Sequence, residues 1–150
     1  MELTDSEVRM LHEAIDDEHR AWATYDQVLA DHGDVRPFMN IRESEARHID
    51  ALRSLFDRYG LEVPANPWPG KVDRYPSVRA ACQAAVEAEI ANARMYERFL
   101  AATERADILT VLRNLQQASM QRHLPAFERC AGRPSAQSGG PGRRRYRGGR

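Results

Sequence analysis

Glu45 and His48 stand three residues apart in the stretch NIRESEARHIDAL, residues 40–52. On a helix, positions i and i+3 share one face, one turn apart. The apolar residues around the pair, Phe38, Ile41, Leu52, Leu55 and Tyr59, recur at helical spacing, and their stripe passes through Glu45 and His48. A carboxylate and an imidazole therefore occupy core positions. Burying them costs several kcal/mol unless they are paired or bound to a metal. Two more acids interrupt apolar stripes in the same way. Glu18 falls among Val8, Leu11, Ile15, Trp22, Tyr25 and Leu29, and Glu89 among Val78, Cys82, Ala85, Asn92, Tyr96 and Phe99. His123 lies among Leu109, Leu112, Leu115, Met120, Leu124 and Phe127.

Four helices must position these groups. Thr4 and Glu7 fit a capping box at the start of the first helix, which runs to about His32 and stops at Gly33. After a short turn, with Asp34 as its expected cap, the second runs from about Pro37 to Tyr59 and stops at Gly60. A connection this short makes the two an antiparallel hairpin. Residues 61–76, LEVPANPWPGKVDRYP, hold four prolines and a glycine, so the segment should be extended. At ~3.3 Å per residue it can span the full length of a helix, with Trp68 pinning it to the surface. The third helix runs from about Ser77 to Thr103 and the fourth from about Asp107 to Cys130, with a kink expected at Pro125.

The four polar groups fall at one level. Glu18 lies 15 residues before Gly33, and His48 lies 14 after Asp34. Glu89 lies 15 before residue 104, and His123 lies 18 after residue 105. The hairpins also repeat each other. Glu18 precedes Tyr25 by seven residues as Glu89 precedes Tyr96, and Glu-Ala-Arg-His48 is echoed by Met-Gln-Arg-His123. A carboxylate from two helices and a Glu-x-x-His from the others is the ligand set of a carboxylate-bridged dinuclear metal site. Carboxylates bridge hard cations, and imidazole suits iron and zinc.

The 150 residues hold 22 basic and 22 acidic side chains. Six of the basic ones are arginines in the last twenty residues, which contain no acid. Residues 1–130 thus carry 16 basic against 22 acidic groups, a net charge of −6. An acidic body gives no reason to expect nucleic-acid binding there. Beyond residue 130 the composition reduces to Gly, Pro, Ser, Gln and Arg, read as a disordered, solvated tail for which nucleic-acid contact is not expected. No apolar run reaches membrane-spanning length, and the acidic N-terminus lacks the features of a signal peptide. The expected location is the cytoplasm. Two cysteines, Cys82 and Cys130, fall near one end of the second hairpin. A disulfide is geometrically conceivable, but a reducing cytoplasm makes buried thiols the default reading.

The segments DDEHRAWATY, PFMNIRESEARHIDAL, YGLEVPANPW and ASMQRHLPAF resemble the ferritin-like superfamily, close to the rubrerythrin and erythrin type, within a branch known as a domain of unknown function. The resemblance covers about residues 5–130. It implies an all-α, ferritin-like antiparallel four-helix bundle with a long connection between its second and third helices. It further implies iron-dependent oxidation or peroxide handling. One position departs from the template: Met120 stands where the second Glu-x-x-His would begin, and a thioether is a poor ligand for hard iron. The remaining ligand set is Glu18, Glu45, His48, Glu89 and His123, three carboxylates that leave two divalent ions one positive charge in excess. Either the second metal binds weakly with water or hydroxide filling the gap, or one metal binds, or the site is a relic. Gln116, Ser119 and Gln121 are the nearest residues able to assist.

Two functions follow as expectations. The first is a ferritin-like metal-binding protein holding one or two iron ions, with zinc or manganese as alternatives. If active, it is a di-iron oxidoreductase, ferroxidase- or peroxidase-like, that reacts Fe(II) with dioxygen or peroxide. Having no CxxC pair, it would need an external electron donor, and a homodimer is the assembly such bundles suggest. The second is a non-catalytic helical bundle acting in binding or stress protection, its metal site lost. In that reading the buried groups form a Glu–His–Tyr network with Tyr25 and Tyr96 as donors. Under the metal reading the same tyrosines donate to the ligand carboxylates from outside. His12, His19, His32, Asp16, Asp17, Glu43 and Glu87 are read as solvated.

Overall fold

The structure is a computed structural model that describes residues 2–132; of the tail expected from residue 131, the first two residues close the last helix and the remainder lies outside the described residues. Those residues are all-helical, with no strand among them. Helix α1 spans Asp5–His32, α2 Phe38–Arg58 and α3 Val78–Leu100. The fourth rod comprises α4, Ala106–Ala118, a π turn over Ser119–His123, and α5, Leu124–Gly132.

Local chemistry sets the ends. Thr4 accepts from the Glu7 backbone N–H, and the Glu7 carboxylate accepts from the Thr4 N–H, so the capping box forms as its sequence predicts. Gly33, at φ 85°, closes α1 in a conformation costly for residues with a Cβ. Asp34 does not cap α2. Pro37, after a cis peptide bond, occupies the N-cap position with no side-chain cap bond.

Contacts between the ends fix the directions. Glu7 at the start of α1 meets Thr103 and Arg105 at the turn between α3 and α4, and Tyr59 just past α2 donates to Asp107. At the opposite end His32 lies 2.8 Å from the Tyr75 carbonyl, and Phe38 packs on Tyr25 and Phe127. The rods α1 and α4–α5 therefore run one way, and α2 and α3 the other.

Because α2 and α3 are parallel, their connection must travel the length of the molecule, and residues 61–77 do so alongside α1. Asn66 Nδ2 donates to the His19 carbonyl, Trp68 Nε1 donates to Asp16, and Arg74 makes a two-pronged contact with Asp31. Arg20 lies 5.3 Å over the Trp68 ring, which is pinned as expected.

The apolar interior is divided in two. One cluster gathers Leu11, Ile15, Leu52, Phe56, Phe99 and Leu112 towards the α3–α4 turn. The other gathers Val28, Phe38, Ala85 and Phe127 towards the α1–α2 turn. Between them lies a polar layer.

The sequence expectation differs from the fourth rod and from the cysteines. Pro125 lacks an N–H, and its ring crowds the carbonyl four residues back. The helix meets it by widening over the preceding turn, where the Leu124 N–H reaches back to Ser119. Cys82 and Cys130 form a disulfide that ties α3 to α5. The reducing compartment invoked against that bond is a property of surroundings, whereas the positions of the two residues come from the chain.

Candidate metal centre

The polar layer contains all five ligands expected from the sequence. Glu18 comes from α1, Glu45 and His48 from α2, Glu89 from α3 and His123 from the π turn, and all five are buried. They converge as two triads, Glu18–Glu45–His48 and Glu45–Glu89–His123, in each of which the donor atoms lie within 4.8 Å of one another. Glu45 belongs to both. The periodicity explains this convergence: each acid takes a position that the stripe assigns to the core, and the antiparallel hairpins bring those positions level.

The imidazoles are held alike. Their rings stack at 5.4 Å between centroids. His48 Nδ1 lies 2.9 Å from Glu45 and 3.4 Å from Glu18, and His123 Nδ1 lies 3.5 Å from Glu89 and 3.6 Å from Glu45. Both Nε2 atoms turn to one hydroxyl, Ser44 Oγ, at 3.4 Å for His48 and 3.0 Å for His123. His123, donating from Nε2 to Ser44, leaves its Nδ1 lone pair facing the carboxylates, while the His48 Nδ1–H is shared between Glu45 and Glu18. His123 Nδ1 is the buried side-chain polar atom that lacks a hydrogen-bond partner among the described residues. A buried acceptor of this kind needs a cation or a proton, so the donor set fits a metal.

The tyrosines cross over. Tyr25 of α1 donates to Glu89 of α3 at 2.7 Å, while Tyr96 of α3 donates to Glu18 of α1. The seven-residue Glu–Tyr repeat is thus a reciprocal pair of contacts between the hairpins. Burial first, then the neighbouring carboxylates, push both phenols well above their ordinary range, so they remain donors. Burial also raises Glu45 well above the carboxylate range, with the charge of Glu18 adding to it. Burial pushes Glu18 up too, but hydrogen bonds with His48, Glu45 and Tyr96 prevail and hold it at about 2. Without a cation the two carboxyls are stable as one acid and one carboxylate.

Two neighbours, Ser44 and Asn92, escape a sequence reading, and a third, Ser119, is the one of the three residues named as able to assist that reaches the centre. Besides Ser44, Asn92 is buried and donates from Nδ2 to both Asp17 and Glu18. Ser119 Oγ lies 2.6 Å from Glu89 and 2.7 Å from the Asn92 carbonyl oxygen. The only signal for Ser44 and Ser119 is their place four residues before a histidine; Asn92 lies on the stripe itself.

Several expectations need correction. Met120 does not fill the fourth ligand's place: it points outward at 46% exposure, because the π turn advances Ser119 into the interior instead. Gln121 is exposed, and Gln116 donates away from the centre to the Ala93 carbonyl and Glu97. His19, read as solvated, is buried; burial depresses its basicity against the opposing charge of Asp16. His32 is half-buried against Tyr75. Asp17, also read as solvated, is half-buried on Asn92, and burial with the charges of Glu18 and Glu89 raises it to about 6. Asp17 supplies a fourth negative charge close to the centre. His12, Asp16, Glu43 and Glu87 are exposed as expected.

A cavity of about 330 Å³ opens beside the layer between α1 and α3; Asp17, Glu87, Glu45 and Glu89 line it. An acidic approach of this kind favours cations. No helix of the described residues is long and apolar enough to cross a membrane.

Residues 7–134 match the family model described as an uncharacterized protein domain, DUF2202. No curated protein matches the chain. The fold is shared with the crystal structure of a hypothetical protein from Methanococcus jannaschii. The two superpose with a TM-score of 0.77 at 24% sequence identity, over 87% of this chain and 82% of that one.

Proposed function

The chain belongs to the DUF2202 family of uncharacterized domains, and we propose that it is a ferritin-like four-helix bundle that binds metal at a dinuclear carboxylate centre. Glu18, Glu45 and His48 would hold one ion, and Glu45, Glu89 and His123 a second. The observation that carries this reading is the pair of buried triads sharing one carboxylate. Neutrality supports it. The three ligand glutamates and Asp17 match the charge of two divalent ions, which answers the deficit that Met120 suggested.

Iron is the metal this reading favours, since mixed carboxylate and imidazole donors suit it. Bound there, iron would supply reaction with dioxygen or peroxide. The chain's own groups do the rest. Ser44 fixes both imidazoles with Nδ1 inward. Tyr25 and Tyr96 orient Glu89 and Glu18 by donating to them. The two apolar clusters keep water from the layer at its two ends along the rods. Electrons for repeated turnover come from a separate donor.

The test is metal content per chain after anaerobic Fe(II) loading, in the parent, Glu18→Ala and Glu45→Ala proteins. Two ions in the parent are expected, with loss of both in Glu45→Ala and of one in Glu18→Ala. A near-ultraviolet oxo-bridge band on exposure to air would add oxidase chemistry. Unchanged metal content in both variants would refute the assignment.

A second reading has its own observation in favour. The network of Tyr25, Tyr96, Asn92 and Ser119 pairs nearly every buried polar group without a cation. A non-catalytic bundle for binding or stress protection would purify metal-free, refuse iron, and still lose stability when Glu45 is truncated.

A further inference from the structure

On the side of the polar layer opposite the acidic approach, between α2 and the α5 rod, lies a second cavity of about 420 Å³. Its rim carries Arg36 from the α1–α2 turn, Arg47 from α2, Arg122 from the π turn and Arg129 from α5, and its floor reaches Ser44 and His123. No acid lines it. Five arginines elsewhere are matched to carboxylates, Arg42 with Asp26, Arg58 with Asp107, Arg74 with Asp31, Arg98 with Glu13 and Arg105 with Glu7, while six others stand apart from one another without such a pair among the described residues. The four at this cavity have no such partner among the described residues. Yet residues 1–130 have a net charge of −6, so unpaired acids were available to the fold.

Gathering four guanidinium groups without a counter-charge is unfavourable until an anion enters. Guanidinium presents paired donors matched to the oxygens of a phosphate or a carboxylate. The floor adds a suitable donor. Ser44 Oγ lies on that floor, and its contact with His48 Nε2 is long at 3.4 Å, so its proton can turn to an entering oxyanion. Residues 133–150 carry no acidic side chain to serve as this rim's counter-charge.

We propose that this cavity is a binding site for one small oxyanion, a phosphate-type ion or a short carboxylate, held by Arg47 and Arg122 over Ser44. The site lies outside the metal ligands apart from His123, which forms part of its floor, and it does not require the centre to be loaded.

The test is titration calorimetry of the metal-stripped full chain with inorganic phosphate and, separately, succinate. Saturable binding of one equivalent is expected, and the tighter of the two probes names the ligand class. Arg47→Gln and Arg122→Gln should each weaken it at least about 10-fold, as expected for loss of a charge-assisted contact. Two controls separate the cavity from other cations. Arg113→Gln, on the exposed face of α4, and the triple change Arg143→Gln, Arg144→Gln and Arg145→Gln should leave affinity within about 2-fold. Circular dichroism checks that each variant keeps its helices. Binding of neither anion, or binding that follows the tail arginines and not Arg47 and Arg122, would overturn the proposal.

Discussion

Ser44 is one hydroxyl serving two imidazoles, and the loss of such outer partners usually lowers metal affinity 10–100-fold. Ser44→Ala is therefore expected to weaken metal binding by about that factor with helical content unchanged, measured by competition with a chromogenic chelator. Met120 gives the opposite expectation. A carboxylate placed there points into solvent, so Met120→Glu should leave metal stoichiometry as it is, although the residue pattern alone would suggest that it restores the missing ligand. These two residues mark what was legible at this scale. Glu18, Glu45 and Glu89 were visible because an acid in an apolar stripe contradicts its surroundings. Ser44 contradicts nothing, since a serine beside a glutamate reads as surface. Asp17 was missed for a related reason: its neighbour Glu18 occupies the stripe, which places Asp17 about 100° away, and only the packing of α3 brings Asn92 over it.

Helical periodicity found all four rods to within a few residues, but it could not locate the π turn. A single extra residue in a turn leaves the apolar pattern on each side intact and only shifts their relative phase. Deleting Met120 should turn Ser119-Met-Gln-Arg-His123 into an ordinary i, i+3 pair with both ends still inward. That deletion is expected to cost about 1 kcal/mol, typical of a single mild change. Deleting Asn114, which is also exposed, should rotate Leu115 and Ala118 out of the core and cost several kcal/mol; urea denaturation compares the two. The start of α1 carries a pH dependence. Glu7 bonds to Thr4, Thr103 and Arg105, and although burial opposes them, these partners lower its carboxyl from 4.5 to about 2. A carboxyl lowered on folding contributes stability above its unfolded value and loses it as pH falls towards the folded one. Glu7→Gln should cost about 2 kcal/mol at neutral pH, and the difference from the parent should shrink between pH 4.5 and about 2, followed by thermal melts across that range.

At the scale of the molecule, the disulfide closes a loop of 48 residues between α3 and α5. Chain-entropy arguments put the stabilisation from a loop of that size at about 4 kcal/mol. Denaturant midpoints with and without reductant should differ accordingly, with Cys82→Ala together with Cys130→Ala matching the reduced protein. The architecture was largely readable because short turns force hairpins and a proline-rich segment of adequate length permits the parallel crossing. The disulfide was readable only in part: the hairpin register put Cys82 and Cys130 near one end, and the assumption of reducing surroundings argued against the bond. It lies seven residues from Glu89 along α3 and seven from His123 along the fourth rod, so it also holds the spacing of those two ligands.

The two triads differ in provenance. Glu18, Glu45 and His48 all belong to the α1–α2 hairpin, whereas the second triad draws Glu45 from that hairpin and Glu89 and His123 from the other. The first half-site can thus exist as soon as one hairpin has formed, while the second comes into being only when both halves have docked. An ion captured early would act as a local clasp. An ion captured late would act as a rivet across the seam, and chelating it would loosen the halves from each other while leaving each hairpin closed.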